Sequence, residues 1–213
     1  MLITSYNPGE LGDTLITIVG PDAEEQASVR QQDIVRIYDV KTNQTTGYNF
    51  FNVSKILPKL TGNGQLILPT DEVAALNAAL VQAGFDGELV ADMQSKFIVG
   101  VVKSAVAHPK SDHLLVTETE IGGGKTLQIV SGSPNMKADI KVVVAVPGAM
   151  MPNGEIIWPG ELRGVESNGM ICSGRELQIK NAPQRPGALI LPDDYQPVGE
   201  AFDFERAESL FES

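Results

Sequence analysis

Cysteine is almost missing from this chain of 213 residues. The one thiol, Cys172, closes no internal disulfide and builds no thiolate metal cluster, so the reducing cytoplasm is the expected compartment. Histidine is nearly as scarce. His108 and His113 stand five apart, with Pro109 between them. Zinc ligands on one helix face stand four apart, so the pair predicts a polar loop, and neither a metal nor a cofactor is expected. No apolar run approaches the ~20 residues that cross a bilayer. The first residues show no basic segment ahead of an apolar one, so a secretory signal is not expected either. Positive charge is in short supply: 16 Lys and Arg face 27 Asp and Glu, a net charge of −11. That excess opposes non-specific attraction to phosphate.

What is present is a globular composition, 42% hydrophobic and 20% charged, which excludes a disordered tail and a coiled coil. The acidity is uneven. Residues 1–95 carry net −7, residues 96–180 net +1 and residues 181–213 net −5. Only the middle segment can meet a polyanion without strong repulsion.

The first ninety residues read as strands and one helix. Leu15 to Val19 is a short β-rich run stopped by Gly20-Pro21. Ile34–Val40 and Tyr48–Val53 flank a polar connection and predict an antiparallel hairpin with a long loop. After Pro69, Thr70 is placed to cap a helix with Asp71 and Glu72 in its first turn. Val73, Leu76, Leu80 and Val81 then recur at helical spacing up to Gly84. From Phe97 the pattern becomes strands and turns: 97–107, 114–121 with Thr117 and Thr119 sharing a face, 126–130 and 141–146. Shorter pieces follow near Ile156, Leu162, Met170 and Leu189. Five strands in about eighty residues with glycine-rich corners fit a small closed barrel of the OB type. The expected class is α+β, mainly β. Residues 1–92 form a small α+β domain, residues 93–200 an OB-fold β-barrel, and residues 201–213 an acidic C-terminal tail.

Catalytic patterns fail one by one. Gly124-Lys125-Thr126 ends like a P-loop, but the required earlier glycine is Thr119 and a strand, not a helix, follows. Ser167 and Ser173 lack both an activating histidine and a nucleophile elbow. Cys172 sits in an apolar strand, the setting of a buried inert thiol. No enzyme is expected. The turns 131–135 and 163–170 hold Gly, Ser, Asn and Arg, which suit contact with phosphate or ribose and equally suit tight corners.

Several of these segments occur in a telling order. They are Phe97-Ile98-Val99-Gly100, His108-Pro109-Lys110-Ser111-Asp112-His113, Ile129-Val130-Ser131-Gly132 with Asn135, and Arg163-Gly164-Val165-Glu166-Ser167-Asn168-Gly169-Met170-Ile171-Cys172-Ser173. Over roughly residues 97–202 they resemble the tRNA-binding OB domain of the bacterial phenylalanyl-tRNA synthetase beta subunit, a domain also appended to many methionyl-tRNA synthetases. The ending through Gly187-Ala188-Leu189-Ile190-Leu191-Pro192 is similar to the phenylalanyl version. Upstream, Gly12-Asp13-Thr14-Leu15 and Thr46 to Asn52 resemble the extra domain of the stand-alone YtpR-type proteins.

The resemblance implies a cytoplasmic, non-catalytic RNA-binding protein that engages structured tRNA through its barrel. Lys103, Lys110 and Lys125 would supply positive charge and Arg163 a forked contact, while His108, Ser131, Asn135, Ser167 and Ser173 would add neutral hydrogen bonds. Between residues 96 and 180 only Phe97 and Trp158 are aromatic, so recognition by shape and backbone is expected over base stacking. The alternative is a protein-interaction or dimerisation module that keeps the barrel without RNA and docks through Phe202, Phe204 and Phe211 of the acidic tail.

Overall fold

The computed structural model describes residues 1–211 and divides into two compact units, one over Met1–Gln94 and one from Ser95 onward. In the first unit the chain runs β1 (Ile3–Tyr6), α1 (Pro8–Leu11), β2 (Thr14–Ile18), β3 (Gln26–Gln31), β4 (Ile34–Asp39), β5 (Thr45–Phe51), β6 (Gly64–Leu66) and α2 (Thr70–Gln82). The six strands form one antiparallel sheet in the order β3-β4-β5-β2-β1-β6. Side chains alternate along a strand, so Leu15, Tyr48 and Phe50 share a face and are fully buried with Val73, Leu76 and Leu80 of α2. The helical repeat thus meets the strand alternation in a single core.

The expected hairpin is β4–β5, with Ile34 opposite Phe50 and a register shift after Ile37. Pro69, not Thr70, stands at the helix N-cap, and no side chain caps it; Asp71 and Glu72 still face the positive end of the helix dipole. Strands β1, β3 and β6 had no visible signal. β3 is an edge strand of Gln, Ala, Ser, Val and Arg, mostly exposed, and it exists because β4 offers hydrogen bonds along its whole length.

The second unit contains β7 (Phe97–Ala107), β8 (Leu115–Glu120), β9 (Thr126–Ser131), β10 (Lys141–Ala145), β11 (Gly160–Leu162), β12 (Val165–Ser167), β13 (Met170–Ile171), β14 (Ile190–Leu191) and α3 (Phe204–Glu208). Its main sheet runs β13-β10-β7-β8-β9, with β14 also paired to β10, and β11–β12 is a separate hairpin. β7 pairs with β10 through its first half and with β8 through its second. A bulge between Val102 and Ser104, which bends the strand, lets it serve both. Thr117 and Thr119 are wholly buried, and Thr117 Oγ1 donates to Ile129 O at 2.9 Å, which satisfies the hydroxyl. Gly122 to Lys125 is a turn between β8 and β9, as the failed P-loop pattern required.

Strand β10 is covered on both faces. Val142 and Val144 belong to one core with Ile129, and Val143 and Ala145 to another with Cys172, Leu177 and Leu189. That accounts for its unbroken apolar run. Phe202 and Ala207 are buried in the second core, and Leu210 and Phe211 pack against it. Phe202 stacks on Tyr195 at 5.9 Å. Of the three phenylalanines that the docking alternative needs, only Phe204 is exposed, at 40%, and its ring lies edge-on to Phe202. The stretch around Ile156 is reduced to one bridge with Met150. The hydrogen-bonded sheet stays open between β9 and β13.

Two glycines fasten the turn after β8 to the segment that returns to β7. A Cβ on Gly122 would lie 2.5 Å from the Gly199 Cα, both residues have φ above +90°, and Gly199 N–H donates to Val99 O at 2.8 Å. Gly199→Ala combines a backbone clash with a left-handed conformation, at an expected cost of about 2–4 kcal/mol. Denaturant unfolding measures it, and an unchanged midpoint would contradict the close approach.

Candidate functional site

Arg163, a long cationic residue, is held in a left-handed backbone conformation, as the neutral Gln32 and Gln178 also are. It and Gly164 form the two-residue turn between β11 and β12, with Leu162 opposite Val165, and their φ values are +52° and +79°. Two positive φ angles in a two-residue hairpin turn favour Asn-Gly or Asp-Gly. An L-residue with a long side chain in the left-handed region costs about 1–2 kcal/mol. Both hairpin strands are largely exposed, so the turn presents the guanidinium to solvent.

His108 places this hairpin. The ring is buried, its Nδ1 accepts from Lys110 N–H at 3.0 Å, and its Nε2 is therefore the donor to Leu162 O at 3.1 Å. The imidazole bridges the loop after β7 to the last residue of β11, 54 positions away. Arg163 Nη1 adds a long hydrogen bond, 3.4 Å, to Lys110 O. Lys110 Nζ rests over the turn, 3.0 Å from where a Cβ on Gly164 would be. Asp112 stands nearby. A hydrogen bond from His113, 3.0 Å away, holds its carboxyl below the ordinary range, with a smaller contribution from the Arg163 charge.

The four expected cations do not make one stripe. Lys110 and Arg163 meet at the end of β8 where Leu115 pairs with Ala107. Lys103 is at the other end, 3.4 Å from Glu120, and Lys125 lies in the turn beyond it. A six-residue strand separates the pairs by roughly 17 Å. Glu118 stands between them, with Ser104 on one side and Gln128 on the other. The bulge at Lys103 and the period-two alternation put these groups where linear spacing did not reveal.

The neutral donors are already engaged by the protein. Ser131 Oγ accepts from Ser133 N–H, and Ser167 Oγ accepts from Val130 N–H at 3.1 Å. Asn135 grips Ala188 twice: its Oδ1 accepts from the Ala188 N–H at 2.8 Å and its Nδ2 donates to the carbonyl at 2.9 Å. Ser173 and Glu176 bond reciprocally at the start of a turn, with Ser173 Oγ donating to Oε2 at 2.6 Å and accepting from Glu176 N–H. Cys172 is wholly buried, and burial pushes its thiol up to about 12, which makes it inert. Among the described residues no group of three or more His, Cys, Asp and Glu is placed to hold a metal, and no helix is long and apolar enough to cross a membrane.

The chain has relatives across its length. A family described as "Putative tRNA binding domain" matches residues 97–201, and a "Domain of unknown function (DUF4479)" matches residues 21–92. A Bacillus subtilis protein named "Putative tRNA-binding protein YtpR" is 42% identical over 93% of this chain and 98% of its own length. The phenylalanine–tRNA ligase beta subunits of Cupriavidus pinatubonensis and Parasynechococcus marenigrum are 43% and 44% identical over 59% and 54% of this chain. The matches span only 16% and 15% of those subunits.

Proposed function

From the fact that the chain belongs to the YtpR family, we propose that it is a non-catalytic, cytoplasmic RNA-binding protein that engages structured tRNA. The contact is made at the end of the second unit where the His108 loop meets the β11–β12 hairpin. The observation that carries this reading is Arg163 in the left-handed turn beside Lys110. The conformation costs stability, no carboxylate holds the guanidinium in an ion pair among the described residues, and a forked cation is what phosphate recognition needs. Lys103 and Lys125 form a second, weaker contact at the far end of β8, because Glu120 partly neutralises Lys103. His108, Ser131, Asn135, Ser167 and Ser173 serve the site by holding its backbone.

We read the second unit as an OB barrel in which β12 and β13 complete the ring. The seam beside β9 is bridged by Asn168 N–H to Gln128 O at 2.8 Å, Gln128 Nε2 to Glu166 O at 2.8 Å, and the Ser167 contact to Val130. Contacts at the barrel's rim suit recognition of a folded RNA by shape.

Titration with unfractionated tRNA at several salt concentrations tests the function. With two to four phosphate contacts, the slope of log affinity against log salt is expected at about −2 to −4. Absence of salt-sensitive binding at low ionic strength overturns the reading. Self-association or capture of a protein that survives RNase treatment would then favour the interaction module.

A further inference from the structure

The second unit carries a groove with its own positive charge, and neither Lys110 nor Arg163 lines it. Two shallow cavities, of about 190 and 280 Å³, share Ser173, Pro186 and Gly187 and so are neighbours on one surface. Arg175 lines one and Arg185 the other; both are exposed, and among the described residues neither is held by a carboxylate. The groove's own carboxylate, Glu176, is turned onto the N–H and hydroxyl of Ser173. Residues 173–187 hold Arg175, Lys180 and Arg185 against Glu176 alone, in a chain of net −11. One aromatic ring, Phe211, lines the Arg185 half.

Neither cavity reaches the roughly 300–1,000 Å³ of a small-molecule pocket. Two adjacent shallow cavities suit a chain lying along the surface instead. Guanidinia at intervals beside a ring are the equipment for a single strand: phosphates on the cations, a base on the ring. We propose that this groove binds a single-stranded segment of RNA, as a subsite separate from the Lys110–Arg163 contact. The inference rests on the RNA-binding reading and extends it to a second class of RNA structure.

The test uses the full chain, a fluorescent mixed-sequence octaribonucleotide and unfractionated tRNA, at about 50 mM salt. Arg175→Glu with Arg185→Glu is expected to weaken octamer binding more than tenfold, and Arg175→Gln with Arg185→Gln to weaken it less. The Gln variant is also expected to flatten the salt slope by about 1.4, at ~0.7 per phosphate on a single strand. Both arginines are exposed, and an unchanged thermal melt confirms that each variant folds; if the Glu variant does not, the Gln variant decides. Octamer binding at wild-type strength in the Gln variant overturns the groove. So does a wild-type protein that binds tRNA but no octamer, a result that leaves the tRNA reading standing. Failure of the wild-type protein to bind either RNA removes both.

Discussion

Arg163→Asn is expected to weaken tRNA binding by ten- to a hundredfold while leaving the protein as stable as before, or more so. The two effects come from different parts of one residue. The backbone at position 163 has φ of +52° and is followed by Gly164 at +79°, and Asn-Gly is the pair that such a two-residue hairpin prefers. Asn therefore relieves a strain of about 1–2 kcal/mol that Arg bears. The side chain, by contrast, supplies a charge-assisted hydrogen bond to phosphate, for which about 1.5–3 kcal/mol is typical. A loss of 1.4 kcal/mol is tenfold in affinity. Adding Lys110→Ala removes the ammonium that rests over Gly164 and should flatten the salt slope by about 1 more. Fluorescence titration against tRNA and a thermal melt on the same samples give both numbers. Wild-type affinity and slope in the Arg163→Asn protein would remove the hairpin from the RNA contact.

Asn135→Ala is expected to do the reverse, with a large loss of stability and no change in the salt slope of tRNA binding. The Asn135 amide is a two-pronged clamp on residue 188, which follows Gly187 in a backbone conformation of φ +144°. Ala188 is buried, as are Leu189 and Leu191 beyond it. Truncation strands one N–H and one C=O, each at about 1–3 kcal/mol, so a total of roughly 2–6 kcal/mol follows. Urea unfolding measures the loss, and binding is compared at a temperature where the variant is still folded. If stability holds and RNA affinity falls, Asn135 is a contact residue after all and the clamp is not its role.

Those two residues show how legible the site was. Both stand in glycine- and serine-rich turns, and from residue type alone each suits phosphate contact or corner building equally. The choice depended on partners 53 positions away: the backbone of Ala188 for Asn135, the Lys110 carbonyl for Arg163. His108 is the same case, since its ring atoms are shared between its own loop and the Leu162 carbonyl. Backbone groups carry no sequence label, so no inspection of residue types foretells which side chain they will claim. Arg175 and Arg185 are a related case, because nothing local joins them and only the fold makes their two cavities neighbours.

By itself the sequence determined the long strands and the one long helix. Period-two burial in β5 and β8 and the helical repeat in α2 are local statements about which side faces water, and hydrophobic burial enforces them. The family, too, was readable from motif order. Tertiary structure alone decided the exposed edge strand β3, the burial of the C-terminal phenylalanines, the split of the cations between the two ends of β8, and the meeting of Arg163 with Lys110. Each of these rests on groups brought together from distant parts of a unit, where a hydrogen bond or a shared surface exists only once the backbone has closed.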